Sequence, residues 1–251
     1  MSTLTRRAFS RQTLGSLVTF SLLETLIGGD VLADEVKPVT AKWLAELDAL
    51  GRDVRGQKLK QVDWQKKVEE LMARVDMQDL LKFIDFDKLA ATAKPRERGE
   101  LSLRAKFPQV EGLPTDLVFG HQIFALGKNR SVVPHGHDNM ATAFLILQGT
   151  FDGKHYDRLA DEKDHMIIAP TIDRQFTVGE CTTVSDHKDN VHWFKSTGDA
   201  GFIFNIHVLN VDAKSGKRTG RVYIDPNGEK LAGNKIRARR IKEDEAVKLY
   251  G

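Results

Sequence analysis

The sequence carries a single cysteine, Cys181, in 251 residues. No intrachain disulfide can form, and neither a zinc ribbon nor a cysteine-held iron–sulfur cluster can be built. Charge of one sign is scarce as well. The 38 Lys and Arg against 35 Asp and Glu leave a net +3, too slight an excess for the basic face that nucleic-acid binding requires. Beyond residue 33 no segment approaches the ~20 apolar residues of a membrane-spanning helix. Internal repeats, low-complexity tracts and long linkers are missing too. What is left, 41% hydrophobic and 29% charged residues, is the composition of an ordinary soluble globular protein of one or two domains. Any bound metal must rest on histidine and carboxylate, so the placement of the eight histidines becomes the informative feature.

Residues 1–33 read as an address. Arg6-Arg7 precedes Ala8-Phe9, Arg11 adds a third charge, and Leu14 to Ile27 is a mostly apolar run interrupted by Glu24. Val31-Leu32-Ala33 supplies the residues of a cleavage site. Thr5-Arg6-Arg7-Ala8-Phe9 resembles the twin-arginine (Tat) signal pattern. That resemblance implies export of an already folded protein, periplasmic or secreted, through the Tat machinery, a route frequent among proteins that load a metal or cofactor first.

The texture then changes twice. Over residues 34–98, apolar residues recur at spacings of three and four: Trp43, Leu44, Leu47 and Leu50; Trp64, Val68, Leu71, Met72 and Val75; Leu80, Leu81 and Ile84. These predict amphipathic helices packed on a neighbour, with Gly51 and Gly56 interrupting the first stretches and Ala93-Lys94-Pro95 ending the last. From 99 to 226, short Val-, Ile-, Phe- and Thr-rich runs alternate with Gly, Asp, Asn and Pro. They predict eleven short strands, including Ser131–His135, Ala141–Leu147, Thr150–Arg158, His165–Ala169, Gln175–Val178, Val191–Lys195, Gly201–Val211 and Gly220–Ile224. Strands without intervening helices mean an antiparallel sandwich or barrel. Residues 227–251 read as a C-terminal tail or closing helix.

The central motif is Pro134-His135-Gly136-His137. In an extended strand, residues i and i+2 share a face, so the two imidazoles aim together and provide two of the three ligands a metal site needs. Gly136 between them lets the strand bend or lie against a neighbour. A third histidine must come from another strand. His192, in the apolar run Asn190-Val191-His192-Trp193-Phe194, is the choice, and His207 its rival. His187 sits in a polar loop, while His121, His155 and His165 read as surface or hydrogen-bonded structural histidines.

Residues 134–149 resemble the first cupin motif, H-x-H-x4-E-x6-G, with His135, His137 and Gly149 in place and Thr142 in the Glu position. His192 resembles the histidine of the second motif, without the Pro-x-Gly that usually precedes it. The likeness implies a mainly β fold: a cupin double-stranded β-helix (jelly-roll) barrel preceded by an N-terminal helical segment, with a metal on His135, His137 and His192. Residues 134–157 are further similar to the three-histidine thiol dioxygenases of the cysteamine dioxygenase and plant cysteine oxidase type, sharing H-x-H-x-x-M, Gly149 and Tyr156-Asp157. Here Asp138-Asn139 follows His137 in place of Pro-Gly. This resemblance implies Fe(II), and O2 added to a small substrate.

Three neutral imidazoles leave the metal's charge uncompensated and favour a small anionic substrate. In this reading Thr142 hydrogen-bonds a metal-bound water, and Tyr156 donates a proton or hydrogen bond to bound oxygen. Asn205 and His207 support the ligands, and Arg104, Arg158 or Arg174 meets a substrate carboxylate. Asp138, on the opposite face, reaches the site only through a bulge, and Trp193 faces away from it. Zn, Mn or Ni for hydrolysis or isomerisation, or a non-catalytic binding cupin, are the alternative readings. A homodimer through strand edges fits the fold.

Overall fold

The computed structural model describes residues 39–251; the Tat-like block 1–33 lies outside the described residues. Helix α1 covers residues 39–55, followed by α2 (Gln61–Met72), α3 (Met77–Phe83) and α4 (Phe86–Thr92). Eleven strands follow: β1 (Leu101–Leu103), β2 (Gly120–Gly127), β3 (Ser131–Asp138), β4 (Met140–Gln148), β5 (Phe151–Asp161), β6 (His165–Phe176), β7 (Cys181–Val184), β8 (Val191–Ser196), β9 (Ala200–Leu209), β10 (Gly220–Leu231) and β11 (Lys235–Arg240). Helix α5 (Glu243–Tyr250) closes the chain.

The helices follow the apolar periodicity, with one correction. Gly51 does not interrupt α1, which runs through it. A Cβ there would come within 2.6 Å of Val118 Cγ1, so glycine lets the helix lie against the segment leading into β2. Asp76 caps α3 by accepting from Asp79 N–H at 3.0 Å, as a short acidic side chain does at a helix start. Asp85, at φ 51°, takes the left-handed turn that separates α3 from α4.

All eleven strands pair antiparallel. The first sheet has the order β1-β2-β9-β4-β7 and the second the order β10-β11-β6-β5-β8-β3. Strands β2 to β9 therefore divide between two four-stranded sheets, β2-β9-β4-β7 and β6-β5-β8-β3, changing sheet at every step except β5 to β6. That is the strand order of the jelly roll, or double-stranded β-helix. The fold is mainly β, a jelly roll with helices ahead of it.

Two strand boundaries differ from the sequence reading. His165–Ala169 and Gln175–Val178, read as separate strands, are one strand, β6, which passes through Pro170. Its pairing with β11 involves only His165 to Ile168; beyond that point one edge is free, and Pro170 pairs with Tyr156 of β5 beside a register shift, the setting of edge and bulge in which a strand proline is tolerated. Residues 227–240, read as tail or helix, continue β10 and form β11, so the barrel extends past residue 226. Only Glu243–Tyr250 is helical. Arg237 and Arg239 alternate with Ile236 and Ala238, a period-2 pattern that a helical reading of this charged stretch overlooked. The β10–β11 hairpin pairs with β3 on one side and β6 on the other, and so closes the second sheet into a six-stranded ring.

Three apolar cores result. The helices pack on the outer face of the first sheet around Trp43, Leu47, Trp64 and Leu80 with Phe204 and Ile206. A second core lies between the sheets, around Phe124, Phe144, Phe151, Phe176 and Phe194. A third fills the ring, around Tyr156, Met166, Ile168, Val191 and Ile224. Strand β3 and the middle of β5 are thus buried on both faces, and alternation sorts their residues to one core or the other.

Helix α2 also seals an edge. Gln65 donates to Thr183 O at 3.1 Å and accepts from Ser185 Oγ at 2.8 Å. Gln61 accepts from Asp186 N–H at 2.9 Å and donates to Asp186 Oδ2 at 3.0 Å. Strand β7 is the edge of the first sheet, and these amides occupy polar groups that an edge otherwise offers to another chain. They also anchor the 185–190 loop that delivers β8.

Candidate metal centre

His135 and His137 lie on the inter-sheet face of β3, with Gly136 turned into the ring. A Cβ on Gly136 would come within 2.7 Å of Asn190 Oδ1 and 3.1 Å of Val191 Cγ2. His192 is placed opposite His135 in the β3–β8 ladder, where the register shifts between Val132 and His135. Side chains directly opposite share a face, so two strands far apart in sequence bring three imidazoles together. The three rings each offer a nitrogen, and these atoms all lie within 4.8 Å of one another. His135 Nε2 and His137 Nε2 are 3.2 Å apart. All three residues are buried.

Hydrogen bonds on the far side of two rings set their orientation. His135 Nδ1 is 2.7 Å from Val133 O. A carbonyl only accepts, so Nδ1 carries the proton and Nε2 holds the lone pair. His137 Nδ1 is 3.1 Å from Thr142 Oγ1. His192 Nδ1 is buried with no partner, while its ring lines the cavity, which leaves Nε2 as the nitrogen open to it. Burial pushes all three imidazoles down: His135 and His192 fall well below the ordinary histidine value, and His137 to about 3. The Arg221 charge adds to the burial in each case, and His135 and His137 depress His192. At neutral pH all three are uncharged. A proton on His137 Nε2 would satisfy that ring and His135 but leave His192 without a role, whereas a divalent cation takes all three lone pairs. Three neutral nitrogens gathered around one point are the donor set of a transition metal.

The cavity beside the rings measures about 280 Å³. Thr142, Phe144 and Met140 line it from β4, Gln122 from β2, and Asn205 and His207 from β9; Arg221 closes it from β10. Among the described residues no helix residue lines it, and the described N-terminal helices pack on the outer face of the first sheet. No described Asp or Glu lines it either.

Several sequence expectations are corrected. Tyr156 does not face the histidines. It alternates with His155 along β5 and lies in the ring core. The tyrosine beside the site is Tyr223, paired with His135 across the β3–β10 ladder, with ring centroids 5.7 Å apart. Thr142 does not sit as a partner for bound water alone, because its hydroxyl holds His137 Nδ1. His207, the rival ligand, lies on the opposite wall. Asn205 and His207 do face the interior, but they pair with each other at 3.4 Å and with Gln122 through Asn205 at 3.2 Å, not with the ligands. Asp138 is held by Arg158 at 2.7 Å and Lys217 at 3.6 Å and supplies no carboxylate to the cluster. Trp193 faces away, packed edge-on against Tyr250 of α5.

None of the three proposed arginines reaches the cavity. Arg104 is exposed. Arg158 pairs with Asp138 and Asp161. Arg174 pairs with Glu180 and covers the Phe176 ring. The arginine that does is Arg221, opposite His137 in the ladder and paired with Glu100 at 3.1 Å. Its position depends on the closure of the ring by β10, which no local pattern announces. His155 was also misplaced: it is fully buried on the inter-sheet face. The alternation Phe151, Gly153, His155 carries that information. His121, by contrast, is a hydrogen-bonded structural histidine, stacked on Phe107 and bonded to Ala105 O at 3.0 Å. His187 is exposed in its loop.

No protein-family model and no curated protein sequence matches this chain. Among solved structures it is similar to a cupin superfamily protein from Desulfitobacterium hafniense, at 18% identity over 48% of this chain and 87% of that one, with a TM-score of 0.32. It is also similar to a conserved protein with a double-stranded β-helix domain from Klebsiella pneumoniae, at 8% identity over 54% of this chain and 87% of that one, TM-score 0.36. A third likeness is to procruciferin, an 11S globulin from Brassica napus, at 10% identity over 43% of this chain, TM-score 0.33. The match spans 23% of the globulin's length. These likenesses concern the β fold.

Proposed function

We propose that this chain is an exported, metal-dependent oxidoreductase: a non-haem Fe(II) enzyme that uses O2 on a small anionic substrate. The observation that carries the reading is three neutral imidazoles converging on a cavity that, among the described residues, no carboxylate lines. The residues fit the metal, since two rings are fixed from behind and the third has a buried nitrogen still unpaired. Bound there, iron(II) would supply redox chemistry with O2 and acidify a directly bound group such as a thiol.

The chain's own residues do the rest. Arg221 is the one cation among the lining residues, and it attracts an anion toward the histidine face. Gln122, Asn205 and His207 offer neutral hydrogen bonds from the opposite wall and orient a polar substituent. Phe144 and Met140, both buried, exclude water. A cavity of about 280 Å³ lies at the small end of ligand sites and suits a molecule of metabolite size. The likeness of residues 134–157 to the three-histidine thiol dioxygenases supports the metal centre, and the uncompensated charge of a metal on three neutral ligands favours a thiolate or carboxylate substrate.

The neutral donor set itself favours a second reading, zinc with a hydrolytic or isomerising activity, since three imidazoles and a water also suit zinc. Metal analysis of anaerobically purified protein separates the two. Stoichiometric iron with O2 uptake on small thiols or carboxylates is the expected result, zinc without O2 uptake supports the alternative, and no stoichiometric metal overturns both. Export rests on Arg6-Arg7. Replacing both by Lys is expected to retain the precursor in the cytoplasm, and unchanged export would refute a twin-arginine route.

A further inference from the structure

His155 is fully buried in β5, and neither of its ring nitrogens has a hydrogen-bond partner. The rings of Phe194 and Phe176 flank it at centroid separations of 5.5 and 6.2 Å. An apolar residue would suit that setting without any desolvation cost. An imidazole with both nitrogens unpaired calls for a partner.

A second unpaired nitrogen adjoins it. His192 Nδ1 is also buried without a partner. His155 and His192 stand directly opposite each other in the β5–β8 ladder, with ring centroids 6.1 Å apart. The row continues to His135 on β3. Three imidazoles thus lie side by side across three neighbouring strands, with His192 in the middle.

The other two ligands show what His192 lacks. His135 gives its outer nitrogen to Val133 O, and His137 pairs its own with Thr142 Oγ1. A metal-bound histidine nearly always donates its outer N–H to some acceptor, which fixes the ring and raises its basicity. Once Nε2 of His192 ligates, its Nδ1 must carry a proton. A neutral imidazole has one nitrogen with a free lone pair, and both nitrogens of His155 are buried and unpartnered beside His192.

We propose that His155 is the outer partner of His192, accepting through one buried water the hydrogen bond that His192 Nδ1–H has to give. A buried water needs polar groups on both sides, and the unpaired nitrogens of these two neighbouring rings offer them. The role is that of a positioning residue, and it rests on the metal-site reading above.

The test uses Co(II) binding by the full chain, followed by titration and by the ligand-field absorption bands. His155→Phe and His155→Leu remove both nitrogens from a pocket already lined by phenyl rings, and thermal unfolding of the metal-free variants reports the fold. His155→Gln restores a hydrogen-bonding group. The expected result is Co(II) binding weakened about 10–100-fold with shifted bands in the Phe and Leu variants, an apo melting temperature no lower than wild type, and recovery in the Gln variant. Wild-type affinity and an unchanged spectrum in the Phe and Leu variants would overturn the role of His155 alone, as would an equal loss in all three. A folded wild-type protein that takes up no Co(II) would overturn the metal reading itself, and this role with it.

Discussion

Asn190 grips the peptide of His137 from both sides. Its Nδ2 donates to His137 O at 2.9 Å, and its Oδ1 accepts from His137 N–H at 3.3 Å. The same Nδ2 reaches Ser185 O at 2.9 Å, so the loop held by α2 is tied to the ligand strand. The chain of contacts runs from Gln65 through Ser185 and Asn190 to the position of His137. Helices that never enter the cavity thereby help to set its geometry.

Gly136→Ala tests that grip. The new methyl meets Asn190 Oδ1, the end of a side chain that is free in solution but held here by three hydrogen bonds. Releasing it leaves buried polar groups unpaired, at about 1–3 kcal/mol. The variant is expected to unfold at lower urea than wild type and to bind Co(II) more weakly. A variant with wild-type midpoint and affinity would show that the Asn190 clamp is dispensable.

Thr142→Val removes only a hydroxyl from a buried, nearly isosteric side chain. His137 Nδ1 then loses its partner and the ring its orientation. Co(II) affinity is expected to fall by about 10–100-fold, the usual cost of deleting an outer partner, and Thr142→Ser should restore it. If the Val variant binds Co(II) like wild type, the 3.1 Å contact does not position the ligand.

Much of this was legible in the residues, and the rest was hidden for physical reasons. His135 and His137 are two apart on one strand, so alternation alone aims them together. His192 and its apolar flanks mark a buried strand. Arg221 was hidden because its neighbour across the ladder is a residue 84 positions earlier, 221 − 137, brought there by a hairpin whose second strand is rich in arginine. Tyr156 was misread because the next residue to it, His155, takes the inward position. In a stretch of strand buried on both faces both look equally like core, and only the opposite sheet decides which one meets the site. Pro170 masked β6 because proline usually ends a strand, and only the free edge and the register shift beside it make it tolerable.

Arg221 is expected to govern anion affinity rather than metal affinity. It touches no ligand ring by a hydrogen bond, yet its charge is among the causes that depress His135, His137 and His192. Azide binding to the Co(II) protein provides a readout that needs no knowledge of the substrate. Arg221→Met should weaken azide by about tenfold or more, the scale of one charged hydrogen bond at ~1.5–3 kcal/mol, while Co(II) affinity stays within a few-fold of wild type or improves. Equal azide affinity in the two proteins would remove Arg221 from the anion-binding role.

The buried histidines also make the metal-free protein sensitive to acid, and the sign follows from which state takes up protons. In the unfolded chain each histidine titrates near ~6.5. In the folded chain His137 and His155 are held down at about 3, and His135 and His192 also lie well below the ordinary value, all chiefly by burial. Between pH 6.5 and about 3 the unfolded state therefore binds more protons, and stability falls as pH falls. Each histidine contributes up to ~1.4 kcal/mol per pH unit once the pH is below 6.5, while above that value its contribution is flat. The urea midpoint of the apo protein is expected to drop steeply from pH 6.5 to 5, and His155→Phe should lower that slope by one proton's worth. Bound Co(II) should steepen it, because protons then compete with the metal for the three ligands. A midpoint that stays level across this range would mean that the imidazoles take up protons in place, and the cluster would not be the sealed, neutral donor set described above.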